Sequence, residues 1–196
     1  MWTLFLGGCW GSRTLWILAI VIFMITLVGT PGYIWAQDKP RTVTAITTFD
    51  PEDANAGFEN AQPPPDAVLA ALLTSAKKDQ LDDELKGLGI EQKRALFEVV
   101  QVNLGRSVGN AYVVHGKPPM IGADCDWFWI VQADGHHARV LLFSNGLALS
   151  LRKHSTAGYR DIVVSWASAA FTGERLYGYN GSEYKLIREQ TKEQKP

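Results

Sequence analysis

Apolar residues along this chain follow three rhythms, and each predicts a different kind of structure. Residues 14–37 carry no charge, and Leu15–Val28 is apolar at every position but Thr26. Val68, Leu69, Leu72, Leu73 and Ala76 recur at the spacing of one helix face, and Leu81, Leu85 and Leu88 continue it more sparsely. From Leu96 onward the period shortens to that of strands, interrupted by Asp134-Gly135, Asn145-Gly146 and Asn180-Gly181. Between the first two rhythms, residues 37–65 are polar and end on Pro63-Pro64-Pro65. That composition predicts a flexible Pro-rich linker. The competing expectation is an ordered arm packed on the domain, with Val43–Phe49 able to add a strand.

The helical rhythm predicts a helix over 66–86. Asp66 follows the prolines and is suited to cap its N-terminus. Gly87 and Gly89 stop it, and Ile90–Ala95 has room for one further helical turn. Lys77, Lys78, Asp79, Asp82, Asp83, Glu84 and Lys86 read as a solvated helix face.

The strand rhythm carries a register. Asn-Gly and Asp-Gly suit two-residue type I′ turns, because both central residues need positive φ. A turn at Asp134-Gly135 sets Val131 opposite Ala138, Trp129 opposite Val140 and Trp127 opposite Leu142. A turn at Asn145-Gly146 sets Leu142 opposite Leu149 and Val140 opposite Leu151. One face of this three-strand meander then carries Trp127, Trp129, Val131, Val140, Leu142, Leu149 and Leu151. Phe128, Ile130, Leu141, Phe143 and Ala148 occupy the other. Both faces are apolar, so both need cover: the 66–86 helix on one, a second layer of strands on the other. The last hairpin sets Tyr177 opposite Tyr184, with Leu176 and Ile187 on the reverse face. Arg160–Trp166, Leu96–Leu104 and Asn110–His115 read as further strands. The expected fold is mainly β (α+β): an antiparallel meander or sandwich of about seven short strands, with one or two preceding helices packed on it. The expected domain spans residues 66–190, helical over 66–95 and β over 96–188, followed by a frayed tail at 191–196.

The uncharged N-terminal segment has two readings. As a signal peptide, Leu15–Val28 is the apolar core, Gly29-Thr-Pro-Gly32 ends it, and cleavage would follow Ala36 despite Ile34 two positions earlier. As an uncleaved anchor, Thr14–Ala36 supplies 23 residues, enough to span a bilayer, with Tyr33 and Trp35 at the interface. Arg13 on one side and Lys39 and Arg41 on the other do not decide between them. Both readings place the domain outside the cytosol if Arg13 stays inside.

Composition narrows the partners. The chain has 196 residues, 46% hydrophobic and 20% charged, with net charge −1. It lacks the clustered Lys and Arg that nucleic acid demands. Its cysteines are Cys9 and Cys125. Cys9 precedes the apolar segment, so the folded part holds one thiol and neither a disulfide nor a cysteine metal cage.

Gly158-Tyr159-Arg160-Asp161-Ile162-Val163-Val164, followed by Leu176-Tyr-Gly-Tyr-Asn-Gly-Ser-Glu-Tyr184, resembles a pattern in uncharacterised exported bacterial proteins. The strand phrase is also similar to blades of FG-GAP and integrin-type repeat proteins. The resemblance covers about residues 95–188 and implies a strand-hairpin architecture and an exported setting. It implies no activity. FG-GAP blades often carry an acidic calcium loop. Here Leu104–Asn110 and His154–Gly158 lack the ladder of Asp residues that Ca²⁺ needs, so calcium binding is not carried over.

Candidate chemistry is sparse. Asp124-Cys125-Asp126 and His136-His137 fall at opposite ends of one expected hairpin, too far apart for a shared metal at roughly 3.3 Å per residue. Cys125 with His115 or His154 offers a nucleophile and base without a recognisable hydrolase context. Ser165, Ser168 and Ser182 lack a nucleophile elbow, and Asn180-Gly-Ser182 is explained by its turn. Tyr159, Arg160, Tyr177 and Tyr184 are the candidate binding surface, although strand aromatics usually pack in cores. No catalytic residue, metal or cofactor is expected. The leading functional expectation is a non-enzymatic extracytoplasmic module that binds a protein or glycan or serves a structural role in the cell envelope. The alternatives are a small exported inhibitor of a lytic enzyme such as lysozyme, and a hydrolase using His115, Asp124 and Cys125.

Overall fold

The computed structural model describes residues 47–53, 56–78, 81–105, 108–123 and 125–194, all within the compact unit Thr42–Pro196. The uncharged segment of residues 14–36, with both of its readings, lies outside the described residues, as do residues 38–46 and Asp124. No helix among the described residues is long and apolar enough to cross a membrane.

The described residues form a mainly antiparallel β-sandwich of nine strands in two sheets. Strands β2 (Phe97–Val102), β3 (Asn110–Gly116), β4 (Asp126–Asp134) and β5 (His137–Gly146) make a four-stranded sheet in chain order. Strand β1 (Thr48–Phe49) joins β6 (Ala148–Thr156), β7 (Tyr159–Ala167), β8 (Phe171–Tyr179) and β9 (Tyr184–Glu193) in a five-stranded sheet of order β1-β6-β7-β8-β9. Helix α1 (Asp66–Lys78) packs on the back of β4 and β5, and α2 (Ile90–Ala95) leads into β2.

Two hydrophobic cores follow from the period of two in the central strands. Phe128 and Ile130 of β4 face the second sheet, where Leu149, Leu151, Ile162 and Val164 meet them. Trp129 and Val131 point the other way, toward Val68, Leu69, Leu72 and Ala76 of α1. Both faces of the sheet are therefore covered, one by a helix and one by strands.

The loop between β5 and β6 departs from the expected meander. Asn145-Gly146 is not a hairpin turn: β5 and β6 lie in different sheets, and the chain steps from one to the other at Leu147. Glycine is required here by proximity. A Cβ on Gly146 would stand 2.4 Å from both the Ser165 carbonyl oxygen and Val164 Cγ1. The β4–β5 register also differs. Asp134 pairs with His137, Val131 with Val140 and Ile130 with Leu142, leaving Leu141 as the extra residue of a bulge. The bulge inverts the later half of β5. Leu142 turns into the sandwich, and Phe143 packs on Trp129 at 5.1 Å between ring centroids. In the last hairpin Tyr184 pairs with Tyr179 and not with Tyr177, because the loop holds four residues, Asn180–Glu183. The Asn180 carboxamide oxygen accepts from the Ser182 and Glu183 amides and builds that loop.

The remaining boundaries also differ from expectation. Helix α1 ends at Lys78, and Asp82–Leu85 forms a 3₁₀ turn instead of continuing it. The sequence places Asp79, Asp82, Asp83 and Glu84 where a longer helix would present its negative end. The described part of the expected linker is an ordered arm: Phe49 and Phe58 are buried, and Gln62 bridges to Val99. Residues 191–193 are not frayed, since β9 pairs with β8 as far as Glu193 opposite Phe171.

Candidate functional site

Of the four residues expected to form a binding surface, Tyr184 is buried and Tyr159, Arg160 and Tyr177 are half-buried. Tyr159 stacks on Tyr179 with ring centroids 3.8 Å apart. Tyr184 is 4% exposed, and its hydroxyl donates to the Arg160 carbonyl at 2.8 Å. Burial pushes the Tyr184 hydroxyl well above its ordinary range. The Arg160 guanidinium donates to the carbonyls of Arg152 and Leu151, which belong to a stretch of β6 whose pairing with β7 breaks. Its position satisfies backbone acceptors, and burial lowers its pKa. Tyr177 shares a 3.0 Å hydrogen bond with Ser144 across the sheets. Tyr177 and Tyr184 line the wall of a cavity.

That cavity is a groove of about 700 Å³ between α1, β5 and the start of β9. One wall is the small-residue stripe Ala67, Ala70, Ala71 and Thr74 of α1, spaced three and four apart on the face adjacent to its core-facing stripe. The floor is β5 from His137 to Phe143. The opposite wall is Tyr184, Lys185 and Leu186 of β9, with Tyr177 behind them. Leu186 is 51% exposed although it stands on the inward side of β9, two residues after buried Tyr184. Cations Lys78, Arg139 and Lys185 rim the groove against one acid, Glu183. Arg139 is held by Gln132, Tyr179 and the Ser182 carbonyl, and Lys185 pairs with Glu183 at 2.8 Å. The volume and mixed lining match those of ligand sites, which run from roughly 300 to 1,000 Å³.

The polar groups expected near the open end of the β4–β5 hairpin form a different arrangement. His115 is 6% exposed and bonds Glu98 through Nδ1 and Asp126 through Nε2, each at 2.9 Å. Phe58 and Phe128 cover the ring at 5.3 and 5.8 Å. Both ring nitrogens of His115 are thus engaged by carboxylates of neighbouring strands. Cys125 accepts from Asn145 Nδ2 at 3.5 Å. His154 lies in the other sheet, bonded through Nδ1 to buried Asp161 at 2.5 Å, with Thr156 donating to the second Asp161 oxygen. The structure thus brings neither His115 nor His154 to Cys125 as an acid–base partner. His136 and His137 border the groove at the far end of β4 from Asp126. Among the described residues, no group of three or more His, Cys, Asp or Glu is placed to hold a metal ion.

Glu98 is not among the candidate residues of the sequence, and Asp161 stands there only as part of the Gly158–Val164 phrase. Glu98 stands directly opposite His115 in the β2–β3 register, a signal that becomes readable only once that register is known. The chain matches no protein-family model, no curated protein and no solved structure.

Proposed function

We propose that this chain is an extracytoplasmic binding module of the cell envelope, without catalytic activity, and that its ligand enters the groove between α1, β5 and β9. The observation that carries this reading is the groove itself: about 700 Å³ walled by small helix residues on one side and half-exposed Leu186 on the other. Solitary exposed leucines are common on protein surfaces, but one that lines a concave, mixed apolar and polar cavity is a candidate contact. The extracytoplasmic setting rests on the uncharged segment Thr14–Ala36. The second cavity, on the outer face of the five-stranded sheet, supports the reading less well. Charged side chains such as Arg152 and Glu174 line it, and these two pair with each other at 3.6 Å while half exposed.

The test uses two variants of the full chain. Ala70→Trp fills the groove from an exposed helix position, and Ile187→Glu alters the outer face of β9. Each is immobilised and offered an envelope extract, with circular dichroism checking the fold. Capture should be lost with Ala70→Trp and kept with Ile187→Glu. The opposite pattern, or equal capture by both, would refute the groove as the site.

A further inference from the structure

We infer that the groove takes an extended polypeptide segment of a partner, added as a fifth strand beside β5, apolar on both faces and acidic at one end. This rests on the binding role proposed above for the same groove and names its ligand class. Five strands face four across the sandwich, with β5 last in the narrower sheet and β9 last in the wider. The inward face of β9 is correspondingly undercovered, which is where Leu186 stands half exposed.

Strands pair at a spacing of roughly 4.8 Å and alternate their side chains between two faces. A strand beside β5 would set one row of side chains against Tyr177 and Leu186 and the other against Ala67, Ala70 and Ala71. Both rows are therefore apolar or small. The groove follows the chain from His136 in the turn along β5 to Phe143, which corresponds to a segment of about eight residues, or roughly 27 Å.

The free edge of β5 selects the chemical class. That edge has no strand partner among the described residues. An acyl chain would cover its amides and carbonyls without bonding them, which is unfavourable. A peptide backbone bonds them in register, as in strand addition generally. Lys78, Arg139 and Lys185 outnumber Glu183 around the groove, and Lys78 acts on Glu183 electrostatically. An acidic residue at one end of the segment meets that excess.

A phage-displayed library of random peptides, long enough to cover about eight strand positions, is selected on the full chain and then on Ala70→Trp. Amide hydrogen exchange of β5 is followed with the best synthetic peptide bound. We expect apolar, proline-free peptides with an acidic end that bind Ala70→Trp roughly tenfold or more weakly and slow exchange along His137–Phe143. Proline at alternate central positions should abolish binding, because it removes the donors a ladder needs. Peptides that depend on Ala70 but tolerate those prolines and leave β5 exchange unchanged would overturn strand addition while leaving the groove as a binding site. Strand addition is overturned in the same way if sodium laurate binds in an Ala70-dependent manner and no peptide does. If nothing binds in an Ala70-dependent way, both the strand and the groove readings fall.

Discussion

Replacing Phe49 with alanine should cost the fold about 3–5 kcal/mol. The residue lies in a segment whose composition reads as linker, yet it is fully buried, pairs with Leu149 across the sheet edge and meets Phe58 edge-on at 5.5 Å. A buried phenylalanine removes about 150–250 Å² from water. At roughly 25 cal/mol per Å² that is about 4–6 kcal/mol, an upper figure because the unfolded chain already shields part of this surface. Discounting for that returns the range observed for such truncations. Phe58→Ala should cost slightly less, since Phe58 keeps 4% exposure, and the pair should be non-additive by about 0.5–1.5 kcal/mol through the ring contact. Urea unfolding followed by tryptophan fluorescence reads the effect. With a slope of about 2 kcal/mol per molar urea, each midpoint should fall by roughly 1.5–2.5 M with the slope unchanged. If either variant shifts stability by less than about 0.5 kcal/mol, as an exposed linker residue would, the arm is not part of the core.

Gly146→Ala should destabilise by about 1–3 kcal/mol in the same assay, through overpacking against Ser165 and Val164; an unchanged midpoint would refute the close approach. His115→Ala leaves Glu98 and Asp126 facing each other without their shared hydrogen-bond partner, and should lose about 1–3 kcal/mol. Adding Glu98→Gln and Asp126→Asn should restore part of that loss, and equal stability of the single and triple variants would contradict the account. Tyr184 has a folded pKa raised by burial above the usual tyrosine value of 10.0, so its contribution is fully present below pH 10 and is lost as pH rises further. Above pH 10 the stability of the wild type should fall by up to about 1.4 kcal/mol per pH unit more steeply than that of Tyr184→Phe; parallel slopes would remove Tyr184 as the cause.

The class of fold was legible because it depends on local signals. Alternation of Trp127, Trp129 and Val131 with Phe128 and Ile130 sorted β4 correctly onto its two cores. The helical spacing of Val68, Leu69, Leu72 and Ala76 identified the cover of one face. Register was less legible because it turns on single residues. The extra Leu141 inverts the phase of β5, and no pattern in Val140-Leu-Leu-Phe143 distinguishes a bulge from a continuous strand. Asn145-Gly146 misleads because glycine serves close approach there, while the turn at Ala157-Gly158, with φ of 50° and 83°, carries no Asn or Asp to announce it. The groove was the least legible feature. Ala67, Ala70 and Ala71 read as ordinary helix formers, and their meeting with Leu186 spans more than a hundred positions of sequence. Tyr177 and Tyr184 were found as aromatics, but their burial follows from a sheet packing that aromatic content does not encode.

The ordered arm also has a consequence for the order of events as the chain is made. Sheet neighbours β2 to β5 are consecutive, as are β6 to β9, so each set can pair as soon as its own residues exist. Strand β1 is different: Thr48 pairs with Ser150, 102 positions later. Closing a loop of that length costs about 4 kcal/mol of chain entropy before any contact repays it. At synthesis rates of roughly 5–20 residues per second, about 5–20 s separate the appearance of the arm from that of its partner. During that interval Phe49 has no β6 to cover it, and the first sheet can form ahead of the second. Strand β1 is thus the first of the nine described strands to be synthesised and must wait for β6 to dock, so the arm carries an uncovered phenylalanine for as long as the chain is incomplete.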